Sequence, residues 1–274
     1  MEEIFDYAII NESIAPLKST SDNFSETTDE LIFGMIVKIL KKQEEWYYVE
    51  TDYDYCGYVN RKSLLIDNQR AGEWRKIAKA HVYKSFADIM VKPYYQSNIL
   101  KTVTRGAILS VTGKTEDNWK EVELPDKTKA WIKAPFLEEF KNLSVKEDED
   151  KIRENLVYIA KQYLGVQYRW GGKTPMGIDC SGLCSMAYML NGITIYRDAE
   201  LKEKYMKSIS IDKIKPGDLI FFPGHVAMYI GDNRYIHSTG KSHGVTINSL
   251  KSDDFDFRED LIDKITAIGT IFDL

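Results

Sequence analysis

Twice within its first 140 residues the chain runs through the same short pattern, and that repeat restricts the fold more than any other feature of the sequence. The first copy reads "MIVKILKK", "EEWYYVETD" and "CGYVNRKSLL"; the second reads "GAILSVTGK", "DNWKEVELPD" and "KAWIKAPFL". Each copy is a glycine, an apolar strand, a turn, a Trp-containing strand, a turn, and an aromatic–apolar strand. Gly34, Trp46 and Tyr58 align with Gly106, Trp119 and Trp131. Runs of β-branched and aromatic residues between polar breaks signal strands. A unit of ~70 residues met twice predicts two copies of one small β-domain. Strands without long helices are therefore expected over residues 1–140.

The second half has a different rhythm. "SVKEDEDK", residues 144–151, has the composition of a linker. Ile152, Leu156, Ile159, Ala160, Tyr163 and Leu164 then recur at helical spacing, with Gly165 as the stop. A second helix is predicted to start at Cys180, with Leu183, Cys184 and Ala187 inward. After "KPGD" at 215–218 come the strands "LIFF", "HVAMYIG", "RYIHST", "GVTIN" and "ITAIGTIF". Helices followed by an antiparallel sheet make an α+β domain. The expected organisation is 1–70, 71–143 and 144–274.

Charge and cysteine usage narrow the function classes. The formal net charge is −5, with both signs mixed along the chain, which argues against a nucleic-acid surface and gives no pull toward a membrane. No run approaches the ~20 apolar residues that span a bilayer. "MEEIFDYAII" lacks a basic segment followed by an apolar core, so a cytoplasmic location is expected, with the cell wall as the alternative if a leader has been removed. Three widely spaced cysteines do not form a disulfide framework, which leaves a free thiol available.

That thiol stands in "GIDCSG", residues 177–182. A thiol attacks as thiolate, which a helix N-terminus and a nearby imidazole favour. Cys180 meets the first condition. Asp179 and Ser181 can cap the helix, and Gly177 and Gly182 would allow close approach by a substrate. An isolated cysteine is more often a packing residue, so the histidines decide the reading. There are four, and His225 and His237 fall in consecutive strands around "GDN" at 231–233. With Asp232 central, residue 227 faces 237 and residue 225 faces 239, so both histidines share one face of the sheet. One can act as base toward Cys180 while the other orients it. A zinc site on Cys180, Cys184, His225 and His237 fails on spacing, since C-x3-C with H-x11-H matches no common zinc pattern. Cys184 is expected in the core, and His81 and His243 as surface or structural residues.

"YRWGGKTPMGIDCSGLCSMAY" followed by "KPGDLIFFPGHVAMYIGDNRYIHST" resembles the NlpC/P60 family of papain-like cysteine peptidases, over about residues 145–274. The paired β-units resemble bacterial SH3 (SH3b) domains, which are small barrels. The implied fold is an α+β papain-like catalytic domain preceded by two all-β SH3b-like barrels. The resemblance implies a triad of Cys180 as nucleophile, His225 as base and His237 as orienting residue, with no metal or other cofactor. The whole arrangement is similar to γ-D-glutamyl-L-diamino acid endopeptidases that act on small liberated murein tri- and tetrapeptides with a free N-terminal L-Ala. It puts Glu26 (in "SETTDELIFG"), Tyr55 (in "DYDYCGYV"), Tyr168, Trp170, Asp179 and Ser181 at substrate-lining positions. No nucleic-acid or membrane partner is implied, and a monomer is expected. One segment departs: "YRDAELKEKY" has Ala199, then Lys202 where similar enzymes have Gln, which puts polar contacts there in question. Two other activities suit the same domains: a wall-bound autolysin cutting intact peptidoglycan, and an amidase or acyltransferase on the papain-like fold.

Overall fold

Each copy of the repeat folds into a seven-stranded antiparallel sheet. The computed structural model describes residues 6–140 and 148–272, and the chain divides into two units, Met1–Phe140 and Lys141–Leu274. In the first unit β1 (Asp6–Ile10), β2 (Ile14–Lys18), β3 (Thr27–Ile32), β4 (Ile36–Gln43), β5 (Trp46–Thr51), β6 (Cys56–Asn60) and β7 (Leu64–Ile66) precede helix α1 (Asn68–Ile77). After it come β8 (Ala80–Val82), β9 (Phe86–Met90), β10 (Ile99–Thr104), β11 (Ile108–Glu116), β12 (Trp119–Glu123), β13 (Lys129–Lys133) and β14 (Leu137–Glu139). The sheet orders are β3-β2-β6-β5-β4-β1-β7 and β10-β9-β13-β12-β11-β8-β14. Adding seven to each label of the first reproduces the second, so the aligned glycines and aromatics mark a true structural repeat.

The repeat extends to backbone handedness. Gly34 and Gly106 both have positive φ, and so do Glu44 and Asp117, and Asp54 and Lys127, at matching turns. Inside the strands, residues alternate between core and surface, as with buried Val37 and Ile39 of β4 and buried Gly57 and Val59 of β6.

Helix α1 departs from the all-strand expectation for this region, and the boundary expected between residues 70 and 71 falls inside it. The Asp67 side chain accepts from the Arg70 N–H and caps it. Its role is to join the two sheets. Trp74 is fully buried and donates its indole N–H to the Gly34 carbonyl at 2.8 Å. The Arg70 guanidinium donates to the carbonyls of Pro125 and Leu124 at 2.7 and 2.9 Å. Gly34 is required for more than its φ of +83°, because a side chain there would meet the Ile108 carbonyl oxygen at 2.3 Å. Local strand signals hid α1, whose apolar content is low and whose burial comes from tertiary packing.

The second unit begins its described part at Asp148. Residues 144–147 of the expected linker and the boundary expected at 143/144 lie outside the described residues, and from Glu149 the chain is helix α2 (Glu149–Lys161). Ile152, Leu156, Ile159 and Ala160 are its buried stripe. A short hairpin, β15 (Lys173–Thr174) with β16 (Gly177–Ile178), leads into α3 (Cys180–Met189). Then follow β17 (Lys207–Ile209), β18 (Leu219–Phe222), β19 (His225–Gly231), β20 (Arg234–Thr239), β21 (Gly244–Ser249), the short helix α4 (Glu259–Ile262) and β22 (Ala267–Thr270). They form an antiparallel sheet in the order β17-β22-β18-β19-β20-β21, as an α+β domain requires. β18 is buried at every residue. Its even positions join a cluster of Ile220, Phe222, Ala227, Tyr235 and Ile268, while Leu219 and Phe221 face the side of Cys184. A strand covered on both faces reads as an unbroken apolar run. The preceding "KPGD" turn, with Gly217 at φ +94°, is held by Arg153, which donates to the Pro216 carbonyl at 2.8 Å and to the Asp218 carboxylate at 2.9 Å.

Candidate active site

The site is built where α3 begins and where β19 and β20 part. Asp232 and Asn233 both have positive φ, the signature of the two-residue turn that matches strand twist. That turn pairs Gly231 with Arg234. Continued without a break, it would set the histidines one residue out of step. Ile230 is extra on β19, and this bulge restores Met228 opposite Ile236, the expected register. The ladder then ends, so the expected pairs 227–237 and 225–239 are not formed. Beyond it the two imidazoles meet directly: His225 Nε2 lies 2.7 Å from His237 Nδ1. On the other side of His237, Nε2 lies 2.9 Å from Asn248 Oδ1.

Helix α3 brings the thiol. The extended backbone and side chain of Asp179 cap it, the carboxylate accepting from the Gly182 N–H. The Val226 and Ser181 N–H groups point at the Cys180 sulfur, which places the thiol beside the residue that follows His225. Ser238 donates to the Ile178 carbonyl at 2.6 Å and ties the end of β20 to the approach to the helix. Gly177 and Gly182 are not open to a substrate. A side chain at 177 would strike Arg169, and one at 182 would meet the Gly172 carbonyl oxygen at 2.2 Å. These glycines serve packing, which corrects the expectation of close substrate approach.

Electrostatics correct a second expectation. Burial and the Asp179 carboxylate push the Cys180 thiol up to about 11, outweighing the two N–H groups and the Arg197 cation. Burial, with Arg258 nearby, brings His225 down to about 4. Burial and the neighbouring His225 take His237 to about 3, against the opposing effect of its hydrogen bond to the Asn248 side-chain oxygen. Burial in the free site therefore disfavours both the thiolate and the imidazoliums. Cys184 is wholly buried one turn further along α3, and its thiol is pushed up by burial.

The other expected residues distribute as follows. Tyr168 is half-buried, its N–H donates to the His243 carbonyl at 2.9 Å, and burial with Cys180 and Asp179 nearby raises its phenol to about 12. Trp170 is 62% exposed on the same loop. Asp179 and Ser181 are buried and tied to Arg197, which donates to both Asp179 carboxylate oxygens at 3.1 and 2.9 Å and to Ser181 Oγ at 2.7 Å. Lys202 pairs with Glu200 at 2.8 Å and lines a small cavity with Ser181, Asp198, Glu200 and Val226. Glu26 and Tyr55 belong to the first unit. Glu26 is exposed just ahead of β3, a strand that also carries the buried carboxylates Asp29 and Glu30. Tyr55 stands in the β5–β6 turn, its carbonyl accepting from the Thr51 N–H at 2.9 Å. His81 is buried on β8 and His243 is exposed with φ +61°.

Two residues escaped the sequence reading. Arg197 was visible as the arginine of "YRDA", but its buried pairing with the nucleophile turn spans sixteen to eighteen residues. Asn248 closes "GVTIN" two positions from Thr246, the residue paired with His237. Strand parity alone puts it on the histidine face.

Comparison with known proteins adds to this geometry. A family model described as NlpC/P60 family matches residues 165–258, and one described as bacterial dipeptidyl-peptidase Sh3 domain matches residues 21–64. Dipeptidyl-peptidase 6 of Lysinibacillus sphaericus is 40% identical over 97% of this chain and 99% of its own. A γ-D-glutamyl-L-lysine dipeptidyl-peptidase of Bacillus cereus is 26% identical over 84% of this chain and 72% of its own. The crystal structure of a NlpC/P60 family protein from Bacillus cereus matches with a TM-score of 0.80 at 21% identity, covering 97% of this chain and 100% of that one, a likeness of fold.

Proposed function

The chain belongs to the NlpC/P60 family of cysteine peptidases, and from that premise we propose that it hydrolyses the bond between γ-D-Glu and an L-diamino acid in murein tri- and tetrapeptides carrying a free N-terminal L-Ala. The relatives named as dipeptidyl-peptidases support release of a dipeptide from such a substrate. The observation that carries the reading is the thiol at the start of α3 beside a hydrogen-bonded pair of histidines.

The geometry supports the following steps. His225 Nε2 is occupied by His237, so Nδ1 is the ring nitrogen left for the thiol. As the Cys180 sulfur adds to the γ-carbonyl carbon, its proton passes to His225 Nδ1. The tetrahedral oxyanion collapses, the C–N bond breaks, and the imidazolium returns the proton to the departing α-amine. Water, deprotonated by the same nitrogen, then adds to the thioester carbonyl; the C–S bond breaks, the dipeptide acid leaves, and the imidazolium returns the proton to the Cys180 sulfur. A pair whose burial disfavours both charged forms suits this sequence, because charge then separates as the carbonyl arrives. The Tyr168 phenol, held protonated, is a donor close to the thiol. In the catalytic unit, Trp170, Asp179 and Ser181 enter as the substrate-lining residues that the resemblance assigns; Glu26 and Tyr55 are the residues of the first unit for which it implies substrate contact.

Incubating the full chain with L-Ala-γ-D-Glu-diamino acid tripeptide should release L-Ala-γ-D-Glu, detected by mass. Release of free alanine, or no cleavage by a folded protein, would overturn the assignment.

A further inference from the structure

Beyond the triad, the chain of contacts from His225 does not stop at His237. His237 Nε2 lies 2.9 Å from Asn248 Oδ1, and Asn248 Nδ2 donates to the Asp256 backbone carbonyl at 2.6 Å. A carbonyl oxygen only accepts, so the Asn248 amide has one orientation here: turned over, it would press two acceptors together at that distance. The oxygen is thereby presented to His237, and Asn248 is itself nearly fully buried. An oxygen acceptor requires a proton on His237 Nε2. In a neutral imidazole Nδ1 is then bare and must accept from His225 Nε2. His225 Nε2 carries its proton for that contact, and His225 Nδ1 is left with the lone pair.

We infer that Asn248 is a positioning residue that sets the tautomer of both histidines, so that His225 Nδ1, the ring nitrogen the proposed reaction leaves for Cys180, is the basic one. The backbone carbonyl of Asp256 serves it by fixing the amide. The inference rests on the proposed triad for its catalytic meaning, but the tautomers themselves are a property of the free protein. Replacing the acceptor removes the reason for the order of protons. His237 can then protonate Nδ1, His225 Nε2 becomes the acceptor, and the proton of His225 moves to the nitrogen that should take one from the thiol.

The test uses the full chain labelled with 15N-histidine, read by long-range proton–nitrogen correlation at neutral pH. In the wild type His225 and His237 should each show a protonated Nε2 and a bare Nδ1; Nδ1–H on either of these two overturns the inference without any variant. Asn248→Leu should mix or invert this pattern and lower kcat about tenfold with KM within about twofold, the effect of one lost hydrogen bond on a tautomer ratio. Asn248→Asp, protonated on the oxygen that faces the Asp256 carbonyl, keeps a donor to that carbonyl and an acceptor for His237, and should restore the pattern and bring kcat to within about threefold of wild type. An unchanged pattern in Asn248→Leu, or equal losses of kcat in the Leu and Asp variants, overturns the inference. Wild-type tautomers as stated in a protein that does not cleave the tripeptide would instead reject the proposed reaction and leave Asn248 its role.

Discussion

At the scale of single residues, opposed forces act on the thiol, and burial wins. The α3 N-terminus and Arg197 favour the thiolate, yet desolvation and Asp179 hold the thiol near 11. Alkylation of Cys180 by iodoacetamide should therefore climb about tenfold per pH unit between pH 7 and 9, because the thiolate is the reacting form. A plateau already reached at pH 6 would mean a standing thiolate–imidazolium pair and contradict this account. Cys180→Ala should abolish turnover and leave the melting temperature near wild type. Cys184→Ala should lower stability by about 1–3 kcal/mol as a buried cavity and keep much of the activity. The depressed histidines also set an acid limit. Unfolded imidazoles take up protons near pH 6.5, whereas His225 and His237 resist until about 4 and 3. Below pH 6.5 the unfolded state binds more protons, so stability is full above that pH and falls as acid is added. The thermal midpoint should drop between pH 7.5 and 5, and a His225→Asn/His237→Asn double variant should lose less over that interval. Parallel curves would remove the histidines from the explanation.

At the scale of elements, the mouth of α3 is braced by a buried ion pair and by bare backbone contact. Arg197 is almost wholly buried against Asp179. Arg197→Met would leave that carboxylate uncompensated in the interior, at a cost of about 3–5 kcal/mol. A large fall in the thermal midpoint of the catalytic unit, with kcat reduced in the surviving folded fraction, is the expected result. A variant as stable as wild type would show that Asp179 does not need its partner. The helix itself was legible, because an aspartate before a helical run is a capping signal that acts over three residues. The Arg197 contact was not, because nothing in local spacing states which distant cation will meet a carboxylate. The histidine hairpin lies between these cases. Alternation predicted a shared face, and the outcome depended on a bulge at Ile230 offsetting the tight turn at Asp232 and Asn233.

At the scale of the whole molecule, the proposed reaction makes the substrate's free amine decisive. Charge-assisted hydrogen bonds to an ammonium contribute about 1.5–3 kcal/mol each, and a site built for them rejects analogues that lack it. N-acetylated tripeptide should show a kcat/KM at least ~100-fold below the free tripeptide, with intact peptidoglycan poorer still. Near-equal values would sink the preference for liberated peptides and favour action on the wall.

What the sequence determined by itself is what short-range chemistry encodes. The twofold β repeat follows from glycines, aromatics and turns recurring in order. The α+β character of the second half follows from periodicities of 3.6 and 2, and the start of α3 follows from its capping aspartate. These signals act within a few residues, so they survive in a linear reading. Tertiary structure alone decided the rest. It placed α1 between two sheets, closed Gly177 and Gly182 against backbone and side chain, turned Asn248 toward His237, and set the protonation of Cys180 through burial. Each of these depends on which distant groups exclude water from a given atom. Desolvation and contact are properties of the assembled interior and have no counterpart in the order of residues along the chain.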